Sequence, residues 1–175
     1  VTLIPKQVTN ISAAQCNFYG FTLSWPSVAG ASEYEIQYTN AVDANGFPVY
    51  SLTKTSSVNS YDVTNLLAGK KYWYRVRAIN STGQGDYSFD KFKVTIPPAP
   101  LIVESPSTEQ DSILLKWNDT DGAESYEVDV SLQSNNFNPN LTDYNSRSVE
   151  ENSLKVTGLT AGQNYIYRIR AVNDC

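Results

Sequence analysis

Apolar and polar positions along this chain alternate with a period of two, in short bursts. Phe21, Leu23 and Trp25 alternate with Thr22 and Ser24. Tyr34, Ile36 and Tyr38 alternate with Glu35, Gln37 and Thr39. Tyr72, Tyr74, Val76 and Ala78 alternate with Trp73, Arg75, Arg77 and Ile79. Successive strand side chains point to opposite faces, so each burst predicts a strand with one buried face. Clusters of Gly, Asn, Ser and Pro lie between the bursts and predict turns. No stretch carries an apolar repeat of 3.6, and helices are not expected.

The pattern occurs twice. Trp25, Gly30-Ala31 and Tyr34-Glu35-Ile36 match Trp117, Gly122-Ala123 and Tyr126-Glu127-Val128 at an offset of 92 residues. Further on, Val63-Thr64-Asn65-Leu66 matches Val156-Thr157-Gly158-Leu159 at an offset of 93. Tyr72-Trp73-Tyr74-Arg75-Val76-Arg77-Ala78-Ile79-Asn80 then matches Tyr165-Ile166-Tyr167-Arg168-Ile169-Arg170-Ala171-Val172-Asn173. A repeat this long is a whole domain rather than one turn of a solenoid. The reading is an all-β chain of two sandwiches, spanning 1–97 and 98–175.

Both copies resemble fibronectin type III domains. The residues that carry the resemblance are Trp25 and Trp117 in the second strand, and Tyr34 and Tyr126 in the third. A Leu followed six residues later by a Tyr adds to it, as Leu66 with Tyr72 and Leu159 with Tyr165. The resemblance implies that these eight residues form the structural core. It also implies that Tyr72 and Tyr165 make tyrosine corners, with each hydroxyl bonded to backbone. The loop style of copy two, Phe137-x-x-x-Leu141-x-x-Tyr144, is similar to copies in large secreted or surface proteins of bacteria. Copy two ends at Cys175 without a counterpart of the strand expected near 88–96. Continuation of a longer parent chain would supply that strand; the alternative is a strand given by a partner. The start at Val1 and the lack of Met also suggest an excerpt.

Composition narrows the chemistry. Without His, no His-based acid–base pair, nucleophilic triad or His metal site can form. No apolar run is long enough for a transmembrane helix. The net charge of −5 argues against nucleic acid. Residues 1–97 hold eight Lys/Arg and six acids, for +2; residues 98–175 hold five and twelve, for −7. Pro97-Pro98-Ala99-Pro100 joins the copies and predicts a short, semi-rigid linker. In the resembling fold, Cys16 and Cys175 fall near this junction; they either form an interdomain disulfide, which would imply an oxidising compartment, or are two unpaired thiols, or Cys175 bonds something further along the parent chain. Asp119, Asp121 and Glu124 fall near it as well. They are either solvated charge or, since Asp119-x-Asp121-Gly122 offers oxygen ligands on a turn, a calcium site. Apart from that ion, no cofactor is expected.

Outward positions raise one further candidate. Arg75 and Arg77 face the third strand's Glu35, and Arg168 and Arg170 face Glu127 and Asp129; cross-strand ion pairs are expected. Trp73 points outward by parity, either covered by an Arg or free to stack on a sugar ring. Trp73, Arg75 and Arg77 are therefore the candidate ligand-binding residues. Gln84-Gly85-Asp86 reads as a turn that needs Gly for positive φ. The expected function is a non-catalytic spacer and presentation module of a secreted or cell-surface protein, partnered by other domains of its parent chain. The alternative is an adhesion module for polysaccharide or a surface protein, accessory to an extracellular enzyme or adhesin. A receptor ectodomain ranks last, because the paired Cys and Trp-Ser-x-Trp-Ser of cytokine receptors are missing.

Overall fold

The strands fall where the alternation puts them, and they group into two units. The computed structural model describes residues 2–103 and 107–175. One unit comprises residues 1–96 together with Cys175; the other comprises 97–174. The division falls one residue before the expected boundary.

The first unit contains β1 (Ser12–Ala14), β2 (Phe21–Ser24), β3 (Glu33–Thr39), β4 (Leu52–Ser56), β5 (Ser60–Val63), β6 (Lys71–Asn80), β7 (Gly83–Gln84) and β8 (Lys91–Val94). One sheet runs β1-β2-β5 and the other β4-β3-β6, with β7 and β8 both on the far side of β6. All pairings are antiparallel. The register sets Ile36 opposite Val76 and Tyr38 opposite Tyr74, so period-two alternation on both strands fills one face. That face packs on Phe21, Leu23 and Val63 of the other sheet. The last strand is shorter than the stretch 88–96 suggested. Ser88 lies before it and bonds Val76 through both its N–H and its hydroxyl.

The second unit contains β9 (Ser107–Thr108), β10 (Ile113–Lys116), β11 (Ser125–Leu132), β12 (Arg147–Val149), β13 (Ser153–Val156) and β14 (Tyr165–Val172). Its sheets run β13-β10-β9 and β12-β11-β14. Among the described residues no strand lies beyond β14. Tyr165, Tyr167 and Ile169 are correspondingly half-buried, where Tyr72, Tyr74 and Val76 of the first unit are buried.

Both cores are built around one aromatic pair. Trp25 meets Tyr34 edge-on at 5.2 Å, and Trp117 meets Tyr126 edge-on at 5.4 Å. The tryptophans, 3% and 1% exposed, sit just past the ends of β2 and β10 rather than within them. Their indole N–H groups are buried without a partner, so their contribution is ring area and packing rather than polar bonding. Each tyrosine hydroxyl then takes a loop amide. Tyr34 accepts the N–H of Val28 at 2.9 Å, and Tyr126 that of Thr120 at 3.0 Å. The corner tyrosines repeat the device. Tyr72 accepts the N–H of Leu67, and Tyr165 that of Thr160, each at 2.9 Å. Leu66 is buried beside the first corner, whereas Leu159 is half-buried beside the second.

Gly85 is required by close approach and not by positive φ. A Cβ there would stand 2.5 Å from the carbonyl oxygen of Pro5, while its own N–H bonds Ala78. Replacing Trp25 by Ala is expected to cost about 3–5 kcal/mol, because a collapsed-around indole cannot be refilled by its neighbours. Denaturant unfolding of the full chain should show the first unit's transition at a lower midpoint with the second unit's unchanged. Coincident midpoints for variant and wild type would refute the core assignment.

Candidate binding face

The outward side chains of β6 stand in a row on the exposed face of the larger sheet: Lys71, Trp73, Arg75, Arg77. They are spaced two residues apart, about 6.8 Å, by the strand geometry that puts Tyr72, Tyr74 and Val76 inside. Trp73 is half-buried. It lies edge-on to Phe92 at 5.1 Å, since register places Phe92 of β8 directly opposite. The Lys71 ammonium covers both rings, 4.4 Å from Phe92 and 5.8 Å from Trp73. The cover expected from an arginine thus comes from a lysine.

Arg75 does not make the expected ion pair. The residue opposite it on β3 is Gln37, whose amide oxygen accepts Nε at 2.9 Å and Nη2 at 2.7 Å. The guanidinium lies between two rings, 4.1 Å from Tyr50 and 4.2 Å from Tyr87. Arg77 does pair with Glu35, at 2.7 Å, and also stacks on Tyr87 at 4.4 Å. Tyr50 donates its hydroxyl to Asp90 at 2.7 Å, and Tyr87 donates to Glu35. Burial and the bond donated to Glu35 push the Tyr87 hydroxyl up to about 12. Burial and the bond to Asp90 raise Tyr50 as well. Both phenols stay protonated donors at physiological pH.

In the second unit the corresponding face is acidic and basic in alternation. Asp129 is opposite Arg168 and Glu127 opposite Arg170, and both pairs are made. These arginines are 62% and 69% exposed, so each pair adds little stability. Arg168 also stacks on Phe137 at 4.5 Å. Burial tends to raise the Asp129 carboxyl, but the Ser146 N–H and Arg168 outweigh it, and Asp129 titrates below the usual range.

Asp119 and Asp121 lie in the turn between β10 and β11. Glu124 lies where the chain enters β11, its N–H bonded to Val172. Among the described residues no three acidic, Cys or His side chains stand where they could hold a metal ion, so this trio is not brought together as a calcium site. Cys16 and Cys175 are joined as a disulfide, with Cα atoms 5.6 Å apart. Sequence reasoning did not find Gln37, Tyr50, Tyr87 or Phe92. Tyr50 and Tyr87 lie outside strands, where no periodicity marks them, and Phe92 becomes a partner of Trp73 only through register.

The profile described as "Fibronectin type III domain" matches residues 6–91 and again 97–175. The chain belongs to the fibronectin type III family. It is 29% identical to "M-protein, striated muscle" of Gallus gallus over 97% of this chain and 12% of that protein. It is 32% identical to "Fibronectin type III domain-containing protein 7" of Mus musculus over 87% of this chain and 19% of that protein. It is 31% identical to "Ephrin type-B receptor 2" of Coturnix japonica over 62% of this chain and 12% of that protein. These relatives are animal proteins, so the bacterial likeness expected from the loop style is not shown. The chain spans under a fifth of each relative's length. Fibronectin type III domains are generally non-catalytic and serve as spacer or binding modules. Among the described residues no helix is long and apolar enough to cross a membrane.

The fibronectin type III fold of the second copy should be acid-sensitive through Asp129. Its folded pKa lies below the unfolded value of about 3.9, so its stabilisation is present above that value and fades as pH falls through the folded pKa. The stability gap between wild type and Asp129→Asn should be largest near pH 7 and close at the acid end. A gap independent of pH in urea titrations would contradict this.

Proposed function

We propose that the chain is a non-catalytic spacer and presentation module of a secreted or cell-surface protein. One observation carries the reading: two sandwiches, each with its own tyrosine corner, follow one another through Pro97-Pro98-Ala99-Pro100. Prolines restrict φ, so such a linker resists bending better than a Gly/Ser segment would. The Cys16–Cys175 bond closes a separation of 159 residues. In the chain-entropy account a loop that long is worth about 5 kcal/mol, and the bond suits an oxidising compartment. A relative whose name includes "receptor" agrees with a surface location. The parent chain's other domains are the natural partners, and the role requires no cofactor.

A second reading is a binding module acting through the outward face of β6, accessory to an extracellular enzyme or adhesin. It is favoured by the four aromatic rings gathered there around Lys71 and Arg75.

Two measurements test the first reading. Intact mass should rise by about 2 Da on reduction, as one disulfide opens. X-ray scattering of the oxidised chain should fit a narrow range of conformations, and a reduced chain with all three linker prolines changed to Gly should fit a broad one. A native chain already as broad as that variant would rule out a semi-rigid spacer.

A further inference from the structure

The first unit's outer face differs in charge from its counterpart at two positions: Gln37 stands where the second copy has Asp129, and Lys71 where it has Asn164. In the second unit both outward arginines of β14 meet a carboxylate. In the first, Gln37 stands at the register position that Asp129 holds in the second, and Arg75 meets an amide instead. Among the described residues no carboxylate lies within ion-pair distance of Arg75 or Lys71. Arg75 bonds Gln37 through Nε and Nη2, and its Nη1 makes no hydrogen bond. Two uncompensated cations therefore stand on one strand, about 13 Å apart along it. Beside them are flat apolar surfaces: Phe92, 48% exposed, and the half-buried Trp73.

We propose that this face binds an acidic polysaccharide built of uronic acids. Lys71 and Arg75 take its carboxylates, and Phe92 and Trp73 pack against its sugar rings. The inference rests on the binding reading of the same face. The charge is complementary, and the neighbouring rings select the class. A uronic acid joins a carboxylate to a ring whose faces are lined with C–H groups, which matches a cation set against an aromatic plane. An acidic peptide supplies the charge without the flat apolar face. The Tyr50 and Tyr87 rings hold Arg75 in place before any ligand arrives, so little side-chain entropy is lost on binding.

The test uses the full oxidised chain in affinity electrophoresis against three polymers: polygalacturonate, polyglutamate and neutral dextran. Polygalacturonate should retard the chain, less so at high salt. Lys71→Gln and Phe92→Ala should each weaken retention by about fivefold or more, the equivalent of about 1 kcal/mol. Both positions are exposed, and unchanged thermal midpoints would show that the fold is kept. Arg168→Gln in the second unit should have no effect. Equal retention by polyglutamate, lost in the same variants, would overturn the uronic acid assignment while leaving the face as a binding surface. Retention by none of the polymers, or retention indifferent to both variants, would overturn the inference and remove the face's binding role with it.

Discussion

Each unit depends on a tyrosine whose ring is in the core and whose hydroxyl is not. Tyr34 and Tyr126 press edge-on against buried tryptophans and use their oxygens to hold the loop before their own strand. The hydroxyls of Tyr72 and Tyr165 likewise accept an amide from the loop before their own strands. A buried backbone N–H without a partner costs about 1–3 kcal/mol. A tyrosine that buries apolar area and satisfies such a donor therefore couples loop geometry to core packing. Asn80 and Asn173 extend the principle, donating to the carbonyls of Gly30 and Gly122 in matching turns.

Because the inner faces are so alike, the difference between the copies lies on the outside. Strand β6 presents cations and an aromatic ring, and the segments carrying Tyr50 and Tyr87 fold over Arg75. In the second unit the chain after β11 takes another course. Two short 3-10 turns, Gln133–Asn135 and Thr142–Tyr144, occupy it, and Tyr144 turns inward to accept the N–H of Thr157. Tyr144 thus adds a buried ring to a core whose sheet, among the described residues, has no strand on the far side of β14. The arginines of that face pair with their carboxylates, and Arg168 also stacks on Phe137.

A duplicated scaffold with divergent surfaces suits a module whose role is to space and present. The scaffold positions are constrained by packing, since interiors are close-packed and tolerate little change of volume. The outward positions are constrained only by solubility and by whatever touches them. Two exchanges there, Gln37 where the other copy has Asp129 and Lys71 where it has Asn164, change the charge balance of the face without disturbing the register beneath it.

Alternation, repeat length and turn residues were enough to read two all-β sandwiches and the proline-rich joint, and the resemblance added their aromatic cores. Those features are local: period-two patterning and Gly or Pro preferences act over a few residues, and the repeat displays them twice. The outward parity of Trp73, Arg75 and Arg77 was legible for the same reason. Their partners were not. Phe92 meets Trp73, Gln37 meets Arg75, and Tyr50 and Tyr87 enclose that guanidinium because of strand register and loop course across 12 to 38 residues of chain or more. Likewise, Asp119, Asp121 and Glu124 are neighbours in sequence but are not gathered around a common point. Local patterning selects which face a side chain joins; long-range pairing selects which side chains meet on that face.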